Sequence, residues 1–212
     1  MDNRYDRPAD LPLIGREALE LDADFSALGI ALRDILLLRR SRHEFGPEPV
    51  PQYRLSRLLW TACGCNREGD LLRTAPSVCG GAPIDVYVAM ATGLYRFDAA
   101  AMVLVRCGDA DLRGSDQHDG PAAPLELIYV ADLARMTGVP APDRLWQAAL
   151  DAGFMAQNVS LFCAAESLAT CMRVPPERAA LARAMGLEGG ACVLLRQAVG
   201  LPRHAPARNP WL

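Results

Sequence analysis

No apolar run in this 212-residue chain approaches the roughly 20 residues needed to span a bilayer. The N-terminal stretch MDNRYDRPADLPLIG has neither a basic n-region nor an apolar h-region, so no signal peptide is read there and a cytoplasmic setting is expected. Positive charge is not in excess: the net charge is −3. That argues against a nucleic-acid binder, whose affinity comes largely from lysine and arginine on phosphates. Lysine is missing altogether, so every basic side chain other than histidine is arginine, and the arginine count by itself carries little functional weight. Histidine occurs only as His43, His118 and His204, none with a local carboxylate partner. There is no Ser-His-Asp order, nucleophile elbow, P-loop or G-x-G-x-x-G. The cysteines, Cys63, Cys65, Cys79, Cys107, Cys163, Cys171 and Cys192, are odd in number and irregular in spacing, which suits free thiols in apolar segments. Cys63 and Cys65 with Cys79 nearby lack a second paired ligand set, so no metal site is expected. If the chain is an enzyme, a redox cofactor carries the chemistry and the protein supplies position and electrostatics.

What is there is a globular composition, 51% apolar and 22% charged, enough for one core-bearing domain. Residues 1–26 read as an extended arm with Pro8 and Pro12, residues 27–203 as the domain, and 204–212 as a tail. Leu28, Ile30, Leu32, Ile35, Leu36 and Leu38 recur at helical spacing over Ser26 to Arg39, with Ser26 as N-cap. Leu55, Leu58, Leu59 and Ala62 share one face of a second helix from Gln52 to Cys63. IDVYVAMATGLYRFD reads as a hairpin turning at Thr92-Gly93, AMVLVRC as strand or short helix, and LELIYVADL as a buried strand. The longest helical pattern runs from Asp143 to Arg173 and is apolar on almost every face, so it is expected to be central and buried, ended by Pro175-Pro176. A short helix to Met185 and a last strand, ACVLLRQAVGLP, follow. This order is not a strict βα alternation. It predicts an α+β sandwich, a mostly antiparallel or mixed sheet flanked by helices.

The first helix ends in LRRSRHEF. On spacing alone, Arg39 and Arg40 with Ser41 and His43 fit either of two roles. Arginines at a helix C-terminus complement the negative end of its dipole. Guanidinium forks and a hydroxyl also suit phosphate oxygens. In the buried helix, Gln157 and Asn158 are expected to satisfy core polar groups. Met155, Val159, Phe162 and Cys163 are expected to pack in the core or a dimer contact, and Trp146 to anchor an interface. Trp60 is expected in the core.

These pieces, in order, resemble the FMN-dependent nitroreductases, and within them the branch that includes the SagB-type dehydrogenases. LRRSRHEF is similar to R-R-S-x-x-x-F, LSRLLWTACGCNR to L-x-x-L-L-W-A-A-x-G-x-N, and RTAPSVCGGAPIDVYVA to R-T-A-P-S-A followed by the strand motif. APLELIYVADLARM, DAGFMAQNVSLFCAAESLAT and the closing AMGLEGGACVLLRQAVGLP resemble the remaining segments, so the likeness runs from about Leu11 to Pro202. The resemblance implies an intertwined homodimer with FMN at the interface, NADH or NADPH as electron donor, and ping-pong hydride transfer through flavin N5 to a nitroaromatic or quinone-type acceptor. It implies that the flavin, and no side chain, carries the chemistry. It also implies that Arg39, Arg40 and Ser41 bind phosphate, ribityl and pyrimidine edge, that His43 lies near flavin O2, and that Pro76, Ser77 and Val78 reach across from the partner. Backbone at Cys171, Met172 and Arg173 is implied near N5, Gln117 near the flavin edge, and Arg203, or alternatively Arg208, at the phosphate. Gly80 and Ala82 stand where this branch has Asn and Gln. That departure motivates a second reading, a flavin-binding protein with little turnover; an azoline dehydrogenase of a maturation complex is a third.

Overall fold

The computed structural model describes residues 18–21, 30–67, 72–78, 82–114, 122–187 and 189–204. Ser26, Leu28, Cys79, Gly80, Gln117, His118 and Arg208 lie outside them. Among the described residues, seven strands form one sheet in which every pairing is antiparallel, with no parallel member. In chain order the elements are β1 (Ala18–Glu20), α1 (Leu32–Leu38), α2 (Gln52–Cys63), β2 (Ile84–Met90), β3 (Gly93–Asp98), β4 (Val103–Gly108), β5 (Leu125–Asp132), α3 (Ala141–Ala165), β6 (Ala169–Arg173), α4 (Arg178–Ala184) and β7 (Ala191–Gly200). The strands lie side by side as β1-β4-β3-β2-β5-β7-β6.

The central strand β5 is buried along all but its last residue because both faces of the sheet are covered. Leu125, Leu127, Tyr129 and Ala131 face the larger core, where α2 contributes Leu55, Leu58, Leu59 and Ala62 and α3 contributes Met155, Val159, Phe162 and Cys163. Ile128 and Val130 face the other side, against Met185 and Leu181 of the α4 region. A polar network joins the layers. Gln197, fully buried on β7, reaches Ala156 O and Ser160 Oγ of α3 and Thr170 Oγ1 of β6, each at 3.2 Å, while Tyr129 OH donates to Gln197 Oε1 at 2.7 Å. Such a fully satisfied network fixes one register of helix on sheet. Asn158 Nδ2 donates to Thr61 O and ties α3 to α2. Its neighbour Gln157 is exposed and takes no part in the core.

The long helix stops earlier than its apolar pattern predicts. Leu168 N–H donates to Cys163 O across Ser167, which adopts a left-handed φ of 56°, and the chain then enters β6. The residues 169–173, read as the last turns of the helix, pair with β7 instead. Edge pairing with a neighbouring strand outweighs local helical spacing here. The hairpin also shifts by one: Met90 pairs with Gly93, so Ala91 and Thr92 form the turn. Trp60 is half-buried, donating its Nε1–H to Cys65 O.

Candidate functional site

The stretch after α1 is extended and laced to the end of the molecule. Arg42 N–H donates to Thr170 O of β6 at 2.9 Å, Phe45 forms a bridge with Pro202, Gly46 N–H donates to Leu201 O at 2.8 Å, and Arg203 N–H donates to Glu44 O at 3.3 Å. These contacts bring Arg39, Arg40, Ser41 and His43 together with β6 and Arg203. The His43 imidazole lies 3.6 Å from the Cys171 thiol. Burial pushes that thiol up from its ordinary range. β6 is an edge strand, so half of its backbone groups face away from β7. Thr170 O is one of these, and strand alternation puts the Met172 N–H on the same open edge.

Arg39, Arg40, Ser41 and His43 are exposed, and Arg40 also lines, with half-buried Arg42, a small pocket made by Leu38, Cys163, Ala164, Ser167 and Leu168. Burial, and then repulsion from Arg40, holds Arg42 below the usual arginine range. The pocket sits where α1 and α3 end, and helix C-termini favour cations. Among the described residues no carboxylate pairs with Arg39, Arg40, Arg42 or Arg203. Guanidinium groups with no carboxylate partner among the described residues, set around an exposed serine, are the donor set that a phosphate monoester takes.

Arg173 is committed differently. Its guanidinium donates to Glu126 Oε1 at 2.8 Å, and Arg196 binds Glu126 Oε2, which also accepts Gly114 N–H at 2.8 Å. Burial pushes the Glu126 carboxyl up, and Arg196 and the Gly114 N–H pull it part of the way back. Gly114 packs closely against this pair: a Cβ there would sit 2.6 Å from the Arg173 guanidinium and would have to displace it.

Pro76, Ser77 and Val78 lie elsewhere on the same chain. The Ser77 hydroxyl donates to Asp151 Oδ2 at 2.6 Å and Val78 N–H donates to Asp151 Oδ1 at 2.8 Å. Asp151 belongs to α3 and is fully buried. Roughly 18 Å of helix, at about 1.5 Å per residue, separates it from the Cys163 level that Arg40 and Arg42 reach. Sequence reading missed Asp151 and Glu126. The available signal was an acid inside an apolar run, since a buried carboxylate needs committed partners.

The Nitroreductase family pattern matches residues 36–201, a span that runs from the end of α1 through residues 39–46 to the end of β7. The chain belongs to the Nitroreductase family. It is a nitroreductase-like oxidoreductase. A candidate nitroreductase from Ralstonia eutropha, solved by crystallography, is 38% identical, with a TM-score of 0.84 over 88% of this chain and 90% of that one. A candidate nitroreductase of Methanocaldococcus jannaschii is 29% identical over 66% of this chain and 77% of its own length. The NADPH:FMN oxidoreductase of Vibrio harveyi, solved with NAD+, is 17% identical and has a TM-score of 0.56 over 84% of this chain and 72% of that one, a likeness of fold alone.

Proposed function

We propose that this nitroreductase-family protein is an FMN-dependent oxidoreductase working as a homodimer, with NADH or NADPH as donor and a nitroaromatic or quinone-type acceptor. The observation that carries the reading is the set of unpaired arginines beside exposed Ser41, laced against an open strand edge. Arg39, Arg40, Ser41 and Arg203 hold the phosphate and ribityl chain. His43 sets a basic group at the pyrimidine edge, where negative charge develops on reduction. Met172 N–H, on the open edge of β6, donates to the ring nitrogen N5, and its neighbours Cys171 and Arg173 fix the strand. Glu126 keeps the Arg173 guanidinium turned away from that edge. Pro76, Ser77 and Val78 serve the flavin of the other subunit, and the exposed row Trp146, Leu150 and Phe154 on α3 supplies apolar surface for that contact. When bound, FMN supplies a two-electron carrier that takes hydride and passes electrons on; these residues supply binding, orientation and charge.

The purified protein is expected to be yellow, or to quench added FMN fluorescence, and to bleach with NADH or NADPH. Reoxidation by a nitroaromatic or quinone then separates an enzyme from a flavin carrier with little turnover. A protein that stays colourless and ignores added FMN contradicts the proposal.

A further inference from the structure

Asp151 is a fully buried carboxylate in the middle of an apolar helix, and nothing in hydride transfer uses it. A carboxylate only accepts hydrogen bonds, and this one takes two, from the Ser77 hydroxyl and the Val78 backbone N–H. A serine hydroxyl has a single proton. At 2.6 Å from an ionisable acid, that proton is committed to Asp151. Whatever else Ser77 contacts, it has no proton left to give a ligand and can meet one only as an acceptor.

From this we infer that Asp151 is a positioning residue that makes Ser77 a hydrogen-bond acceptor for a ring N–H, specifically the N3–H of the pyrimidine part of a flavin. The inference rests on the proposed function, which puts the Pro76–Val78 segment at the flavin of the partner subunit. In the oxidised isoalloxazine ring, N3 carries the only N–H, while N1, O2, O4 and N5 are acceptors. A serine free to rotate would meet either kind of edge. A serine locked by Asp151 matches the donor and repels the carbonyls. The Val78 N–H bond holds the loop in place, so the oxygen faces one direction.

The test compares FMN with 3-methyl-FMN, which lacks that N–H, by fluorescence-quenching titration of the purified full-length protein. Wild type is expected to bind FMN about tenfold or more tightly than 3-methyl-FMN, the value of one such bond. Asp151→Asn keeps the shape but presents an NH2 group that can donate to Ser77, turning the serine proton outward. It is expected to weaken FMN about tenfold while leaving 3-methyl-FMN unchanged, so the ratio collapses. Equal weakening of both ligands, the mark of mere loop support, overturns the inference, as does an unchanged ratio. Should Asp151→Asn fail to fold, Ser77→Ala decides: it removes the acceptor and leaves Asp151 its backbone partner. Wild-type preference for FMN surviving in Ser77→Ala overturns the inference. Wild type that binds neither flavin removes the proposed function, and this inference with it.

Discussion

Each side chain at the site is defined by whether its charge is already spent. Arg173 and Arg196 are spent on Glu126, Arg113 on Asp111 at 2.7 Å, and Arg135 on Asp85 at 2.6 Å. Arg39 has no carboxylate among the described residues, and it is exposed. Arg39→Ala is therefore expected to weaken FMN binding by about 1.5–3 kcal/mol, the range for hydrogen bonds to charged groups. An unaltered dissociation constant in an FMN titration would leave Arg39 a helix-end residue only. At this scale the sequence was informative where residues neighbour each other in the chain, as in Arg39-Arg40-Ser41. It was silent where the partner is far away. Nothing in RTAPSV announces that Ser77 meets an acid some seventy positions later, and nothing in LELIYV that Glu126 holds arginines from two other strands.

Elements were legible in proportion to how much their own residues decide. α2 appears over the predicted span, Gln52–Cys63, because its apolar spacing and the flanking prolines and glycine all agree. The end of α3 was not legible: 169–173 carries helical spacing, and only the presence of β7 alongside makes it a strand. The β2–β3 turn moved by one residue because Gly93 is the position with a φ of 132°, open to glycine and little else. A Cβ there would collide with the Gly108 carbonyl oxygen on β4. Gly93→Ala is thus expected to lower stability by about 2–3 kcal/mol through backbone strain and the displaced strand. Urea unfolding measures it, and a midpoint equal to wild type would mean that the hairpin relaxes without cost.

The molecule as a whole leaves apolar surface uncovered in one protomer. Trp146 is 55% exposed, Leu150 and Phe154 follow it at four-residue spacing on α3, and Leu32 and Leu36 stand out from α1. On the proposed dimer, the Trp146→Asp, Phe154→Asp double variant is expected to run as a monomer in light scattering where wild type runs as a dimer, and to lose FMN affinity by about tenfold or more, as interface anchors do. A monomeric variant that keeps wild-type FMN affinity would show that one chain builds the site alone. The lacing of residues 42–46 against 201–203 and β6 has a further consequence, one of timing. The arginines near the beginning of the chain acquire their backdrop only when β7 and Pro202 have been synthesised. A nascent chain therefore has the cations without the cleft. On the proposed function, cofactor capture follows completion of the fold, and a chain cut short before Leu201 is expected to emerge without the means to hold one.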